Sequence, residues 1–182
     1  VNTPPTLTVS IMPTSPLSRD GLAATVFGSD DDSDDLSYRY AWFKDGKETK
    51  LIEKNVPYTE TSKGQVWSVT ATVLDDESEG ASASAEVVIL NTEPELLSLV
   101  ISPALPTQIT PLTALHSVSD ADADSIAYDY VWTVDGTSVA NNTPMLGTSN
   151  FASGQVVAVT VTPQDDQVSG SSLSASVVIG NT

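Results

Sequence analysis

The sequence contains no cysteine and a single histidine among its 182 residues. Without thiols, neither a disulfide framework nor a cysteine metal site is available. With one histidine, a Ser-His-Asp arrangement would depend entirely on His116. That residue lies in phase with inward-facing strand positions, which predicts a hydrogen-bonded, partly buried side chain. We therefore expect a protein that is not an enzyme.

Long apolar runs and cationic residues are also scarce. No stretch approaches the ~18 apolar residues of a membrane-spanning helix, so membrane insertion is not expected. No signal-peptide pattern is present, and we expect any targeting signal to lie outside this sequence. All seven Lys and Arg residues lie in the first half, and the net charge is −17. A chain this acidic should repel nucleic acid and anionic membranes.

The sequence does contain two tandem copies of one domain. The segment Ser29–Trp42 returns as Ser119–Trp132 at an offset of 90 residues, whereas Asn91 follows Asn2 by 89. One residue is therefore gained near the start of the second copy. A repeat of this length indicates a duplicated domain rather than a solenoid unit. We assign the domains to residues 1–91 and 92–182, and expect neighbouring repeats in a longer chain.

Apolar and polar residues alternate through both copies, which predicts β-strands separated by Pro, Gly and Asp turns. In the aromatic-rich strand of each copy, Trp42 and Trp132 are in phase with the apolar residues, and we expect both in the core. Trp67 is also expected there, although the second copy has Val157 in its place. Residues 47–62 and 137–152 pattern poorly and predict short strands and loops. The fold class is all-β, with the strand spacing of a sandwich.

Two motifs carry a resemblance to a known family. Leu-x-Tyr-x-Tyr-x-Trp, followed by Asp-Gly, comes after an acidic turn, and a later Gly-Gln-Val-x-x-Val-Thr strand ends in Asp-Asp. With these motifs both copies resemble the immunoglobulin-like, PKD-like and cadherin-like repeats of large bacterial surface proteins. The resemblance implies two tandem immunoglobulin-like β-sandwich domains in a secreted or cell-surface protein. It implies non-catalytic spacer or stalk repeats, or alternatively an adhesion module that binds polysaccharide or a surface protein.

Carboxylates alternate in the turn before the Tyr-x-Tyr-x-Trp strand of each copy, and a pair follows a later strand. Calcium takes about 6–8 oxygen ligands, and an alternating Asp-x-Asp-x-Asp turn can converge such oxygens. The candidate calcium ligands are Asp30, Asp32, Asp34, Asp75 and Asp76 in the first copy, and Asp120, Asp122, Asp124, Asp165, Asp166 and Glu93 in the second. We expect the second cluster at the junction, where a cation would join the two domains. The alternative is that these are solvated acidic turns.

A possible ligand contact is confined to the first copy. Phe43 faces away from Trp42 on the same strand, beside Arg39 and near Lys47, and Thr133 stands in its place in the second copy. If either copy has a partner, we expect these three residues to carry the contact. The alternative is that the neighbouring irregular segment covers Phe43 and that the lysines form a solvated, mixed-charge face.

Overall fold

The computed structural model describes residues 2–181 and divides the chain into two compact units, Val1–Thr92 and Glu93–Thr182. The division falls one residue after the predicted boundary. Among the described residues, no helix is long and apolar enough to cross a membrane. The regular secondary structure of each unit consists almost entirely of short antiparallel strands.

The strands of the first unit form two sheets. The strands are β1 (Thr6–Met12), β2 (Leu22–Ser29), β3 (Ser37–Lys44), β4 (Lys47–Glu48), β5 (Asn55–Val56), β6 (Val66–Leu74) and β7 (Glu79–Val88). One sheet has the order β1-β2-β5 and the other the order β4-β3-β6-β7. The predicted irregular segment therefore contributes one short strand to each sheet.

The second unit repeats this arrangement. Its strands are β8 (Glu95–Ser102), β9 (Leu112–Ser119), β10 (Ala127–Val134), β11 (Thr137–Ser138), β12 (Met145–Leu146), β13 (Val156–Gln164) and β14 (Leu173–Val178), with a 3₁₀ helix at Thr148–Asn150. The sheets have the orders β12-β9-β8 and β11-β10-β13-β14. Three strands facing four, with a buried Trp on the third strand, define an immunoglobulin-like β-sandwich. The chain contains two such domains in tandem.

Alternation along the strands places the large aromatic residues between the sheets. Trp42 and Trp132 have no exposed surface, which confirms the prediction that both lie in the core. Trp42 is opposite Val69 in the register of β3 and β6, and its ring meets the edge of Trp67 at 6.4 Å between centroids. In the second domain Val157 takes the place of Trp67, so the two cores are packed differently.

The additional residue of the second copy forms a β-bulge. The register of β8 with β9 shifts between Leu96 and Ser98, and Leu97 between them is 59% exposed. In a strand, one inserted residue would turn every later side chain to the opposite face. The bulge absorbs the insertion, so Leu99 and Ile101 keep the inward positions of their counterparts in β1.

The strand registers bring three parts of each domain to one end of the sandwich. In the first domain Ser37, which begins β3, pairs with Leu74, which ends β6. Thr6, which begins β1, pairs with Ser29, which ends β2. The segment leading into the domain therefore meets the β2–β3 turn and the β6–β7 turn. The corresponding registers hold in the second domain.

Candidate cation sites at the acidic turns

The turn between β2 and β3 folds around the carboxylate of Asp30. Its Oδ1 accepts the backbone N–H of Asp32 at 2.8 Å and that of Asp34 at 3.4 Å. Ser33, between them, has a left-handed φ of 64°, which only a few per cent of non-glycine residues adopt. The turn brings ligand oxygens of the three aspartates within 4.8 Å of one another.

The turn between β9 and β10 has the same construction. Asp120 Oδ1 accepts the N–H of Asp122 at 2.7 Å and that of Asp124 at 3.3 Å. Ala123 has a left-handed φ of 60°, and the three carboxylates again converge within 4.8 Å. All three are half-buried here, whereas Asp32 and Asp34 of the first copy are exposed.

The leading aspartate of each turn has one oxygen buried without a hydrogen bond. Oδ2 of Asp30 and Oδ2 of Asp120 are enclosed and have no hydrogen-bond partner among residues 2–181. A buried acceptor without a donor costs about 1–3 kcal/mol, and more when it is charged. The same costly feature in both copies is the arrangement that a bound cation would satisfy.

In the first domain the leading segment, with Asn2 and Thr3, bridges the two acidic turns. Nδ2 of Asn2 donates to Asp75 Oδ2 at 3.2 Å and to Ser78 Oγ at 3.1 Å, while Oδ1 of Asn2 is buried with no hydrogen-bond partner in the described part of the chain. The N–H of Thr3 donates to Asp32 Oδ2 at 2.6 Å. The leading segment is thus attached to both turns, and it adds a neutral amide oxygen to the carboxylates.

Glycine on β7 allows this segment to lie close to the sheet. The N–H of Ala81 donates to the carbonyl of Pro5 at 3.0 Å, and a Cβ at the preceding Gly80 would overlap Pro5. Beyond it, a depression of about 330 Å³ is lined by Asn2, Asp32, Asp34 and Glu77. The depression is large enough for a hydrated cation.

The carboxylates of the first domain influence one another's pKa. Partial removal from water, followed by the negative charges of Asp30, Asp32, Asp75 and Asp76, raises the pKa of Asp34 above its ordinary value. The two acidic turns are therefore close enough to repel each other. This is the cluster predicted from the sequence for the first domain.

Asp75 has the opposite pKa shift. Partial removal from water acts to raise the pKa, but the N–H groups of Ser78 and Glu77, the Asn2 amide and the Ser78 hydroxyl together hold the pKa of Asp75 below its ordinary value. These bonds hold Asp75 in its ionised form. Because its pKa is lowered, Asp75 keeps its negative charge to lower pH than an ordinary aspartate, beside the repelled carboxylate of Asp34.

The second acidic pair of the second domain follows the same pattern. Oδ1 of Asp165 accepts the N–H groups of Gln167 and Val168, each at 2.6 Å, and Asp165 is only 5% exposed. Asp166 is exposed on the same turn, and Glu93 is exposed at the start of the unit. The β13–β14 turn lies at the same end of the sheet as the turn containing Asp120.

The predicted ligand contact of the first domain lies on β3 and β4. Arg39 forms an exposed ion pair with Glu79 at 3.3 Å. Phe43 is half-buried and opposite Glu48 in the sheet, while Lys47 is exposed. A binding role for Arg39, Phe43 and Lys47 stays a prediction.

The structure also reveals residues that the sequence analysis missed. Phe27 is 72% exposed on β2; its position, out of phase with Leu22 and Ala24, was the available signal. His116 is half-buried, as predicted, and its Nε2 lies 2.9 Å from the Tyr130 hydroxyl. The contribution of Asn2 had no local signal, because its partner Asp75 is 73 positions away.

Comparisons with known proteins describe what the chain is similar to. No family model matches it, and no curated protein matches it. Three N-terminal domains of the bacteriophage RB49 Highly Immunogenic Outer Capsid protein align at 21% identity and a TM-score of 0.38, over 96% of this chain and 59% of that one. A structure from a 1.5-MDa bacterial ice-binding adhesin aligns at 14% identity and a TM-score of 0.42, over 100% of this chain and 67% of that one. The four N-terminal Ig domains of Dscam1 isoform 6.9 align at 12% identity and a TM-score of 0.38, over 100% of this chain and 47% of that one. At such low identities and TM-scores, the functions of these proteins cannot be transferred to this chain.

Proposed function

We propose that the chain is a pair of non-catalytic spacer repeats of a secreted or cell-surface bacterial protein, and that its acidic turns bind calcium. The observation that carries the calcium proposal is the buried Oδ2 of Asp30 and of Asp120, which has no hydrogen-bond donor among the described residues 2–181. An acidic turn that served only solubility would not require a buried carboxylate oxygen without a hydrogen-bond donor. A calcium ion supplies the positive charge that both turns lack.

The oxygen atoms present suit calcium. Its ligands lie at about 2.3–2.6 Å, so two oxygens on opposite sides of one ion are about 4.6–5.2 Å apart. The aspartate oxygens of each turn lie within 4.8 Å of one another, and the first domain adds the buried Oδ1 of Asn2. Asp75 and Asp76 add further charge near the first site, and Asp165, Asp166 and Glu93 are the candidates in the second domain. Water would complete the shell.

Bound calcium would serve a spacer by fixing parts of the chain that are otherwise joined loosely. In the first domain the leading segment, the β2–β3 turn and the β6–β7 turn all contact the cluster through Asn2, Asp32 and Asp75. A cation that draws these together would anchor β1 at the end where the chain enters the sandwich. Resistance to bending and to local opening at this end is what a projecting stalk requires.

A spacer also requires no reacting group. The one histidine is engaged with the hydroxyl of Tyr130, and the chain has no cysteine. The alternative of an adhesion module that binds polysaccharide or a surface protein through Arg39, Phe43 and Lys47 remains a second proposal, because these residues are special to the first copy.

The calcium proposal is tested by thermal unfolding in calcium and in chelator. Extracellular modules bind calcium with Kd of about 10⁻⁴–10⁻³ M, and a ligand at a hundredfold excess over its Kd stabilises by about 2.7 kcal/mol. For domains of this size, 1 kcal/mol shifts Tm by about 4–8 °C. We expect 10 mM calcium to raise Tm by roughly 5–20 °C, the range reflecting the two limits of Kd.

A pair of variants in one turn sharpens this experiment. Asp34→Asn removes the carboxylate whose pKa is raised by partial removal from water and by the four neighbouring aspartates, so it should raise the Tm of the first domain in chelator and reduce its response to calcium. Asp31→Asn removes the same charge from the same turn, but Asp31 lies outside the converging set, and its response to calcium should be that of the unmodified protein. Equal responses in both variants, or identical melting in calcium and in chelator, would leave these turns as ordinary acidic surface.

A further inference from the structure

The outer face of the three-stranded sheet in the second domain carries a group of exposed apolar side chains. They are Leu97 at 59%, Val100 at 55%, Leu115 at 50% and Met145 at 54% exposure. Val100 is directly opposite Leu115 in the β8–β9 pair, and Met145 is opposite Thr113, the next outward residue along β9. These four residues form the apolar face.

The first domain shows that the fold does not require this surface. At the positions of Val100, Leu115 and Met145 it has Ser10, Thr25 and Asn55. Leu97 has no counterpart, because it is the residue added at the bulge. Val100, Leu115 and Met145 are neighbours across the strands, whereas the hydrogen-bonded Ser98–Ser117 pair lies between them and Leu97. Single exposed apolar residues are ordinary on protein surfaces, whereas a group of neighbours is typical of an interaction site.

The charge around the apolar face favours one kind of partner. Residues 93–182 contain nine Asp and Glu residues and no Lys or Arg. Glu95 begins β8 and is opposite Ser119, and the converging aspartates from Asp120 to Asp124 follow directly. The apolar face therefore has an acidic border at one end. The second domain of another copy of this chain, nucleic acid or an anionic membrane would meet like charge there.

We propose that the apolar face of the second domain docks a protein whose contact surface is apolar at its centre and carries Lys or Arg along one side. The four apolar side chains form the centre of this interface. Buried central apolar contacts usually carry most of the binding energy, while charges at the rim govern the association rate and its salt dependence. The proposal does not require calcium at the turns, but a bound cation would reduce the negative charge of the acidic border, which includes Asp120, Asp122 and Asp124.

The experiment measures binding of the two-domain protein to a synthetic strand-forming peptide of alternating Leu and Thr that ends in three Lys residues. The key variant is Val100→Ser with Leu115→Thr, which installs hydrophilic residues as at the equivalent positions of the first domain. The control variant is Val131→Ser, which changes a 44% exposed valine on the other sheet of the same domain. Circular dichroism verifies that each variant is folded, and Leu115→Thr alone replaces the double variant if that one unfolds.

We expect the unmodified protein and the control variant to bind equally, and the double variant to bind at least tenfold more weakly. Binding should weaken as salt rises, and a peptide with Glu in place of Lys should not bind. Equal binding by the double variant and the control, or no binding of the peptide by the unmodified protein, would overturn the proposal. Self-association that the double variant abolishes would also overturn it, because the occupant would then be a second copy of this chain. Binding of the unmodified protein to vesicles of anionic lipid as tightly as to the peptide would overturn it as well.

Discussion

Replacement of Trp132 by Ala is the most direct test of how the second domain is held together. The side chain has no exposed surface, and its Nε1 donates to the carbonyl of Thr143 at 2.9 Å. That hydrogen bond ties β10 to the irregular segment before β12. The substitution therefore removes a packed ring and releases a polar contact at the same time.

The expected loss of stability follows from the burial. A fully buried aromatic side chain removes roughly 150–250 Å² from water, which at about 25 cal/mol per Å² corresponds to roughly 4–6 kcal/mol. Measured Trp→Ala changes in protein cores cost about 3–5 kcal/mol. We expect a loss in that range, which is a large fraction of the about 5–15 kcal/mol that stabilises a typical domain.

Urea titration followed by far-ultraviolet circular dichroism measures the loss. With a slope of about 1–3 kcal/mol per M urea, the midpoint of the second domain should fall by at least about 1 M. Val131→Ala, on the neighbouring outward-facing residue, is the control and should remain within about 0.5 kcal/mol of the unmodified protein. A loss below about 1 kcal/mol for Trp132→Ala would refute the strand register that buries this residue.

Three further predictions concern charge, shape and binding. The ionised form of Asp75 is stabilised in the folded state, so its contribution to stability should be present above pH 3.8 and disappear as pH falls below it; Asp75→Asn should remove this dependence in acid titrations monitored by melting. Small-angle scattering should report a narrower distribution of shapes in calcium than in chelator, and Asp122→Asn should abolish the difference; identical profiles would count against a calcium-stiffened spacer. Glycan-array and pull-down binding should, if found for the first domain, be lost in a variant lacking the Arg39, Phe43 and Lys47 side chains, and unchanged binding would exclude that surface.

The strands could be predicted because alternation along each strand is local. Trp42 and Trp132 were assigned to the core on phase alone, and both are fully buried. The position of the bulge was not predictable from the sequence. The offset between equivalent residues of the two copies is 89 at Asn2 and 90 from Ser29 onward, which shows that one residue was gained but not where in the strand it lies. Leu97 is identified only by the register of β8 with β9.

The acidic turns were predicted in part. Alternating aspartates indicated that three carboxylates converge, since their spacing lies within one turn. The buried Oδ2 of Asp30 had no sequence signal, because it depends on how the loop closes over that atom. The hydrogen bond from Asn2 to Asp75 joins residues far apart in sequence, and the pattern of a single sequence does not reveal such pairs.

The bulge at Leu97 has a consequence for how a chain of duplicated domains changes with time. A one-residue insertion in a central strand would invert the inner and outer faces and would be lost with the fold. β8 pairs with β9 along one side and tolerates a locally bent backbone, so an insertion there leaves Leu99 and Ile101 inward and adds one outward side chain. The strand is thus a place where a repeat acquires new surface chemistry in a single genetic step while its interior stays as inherited.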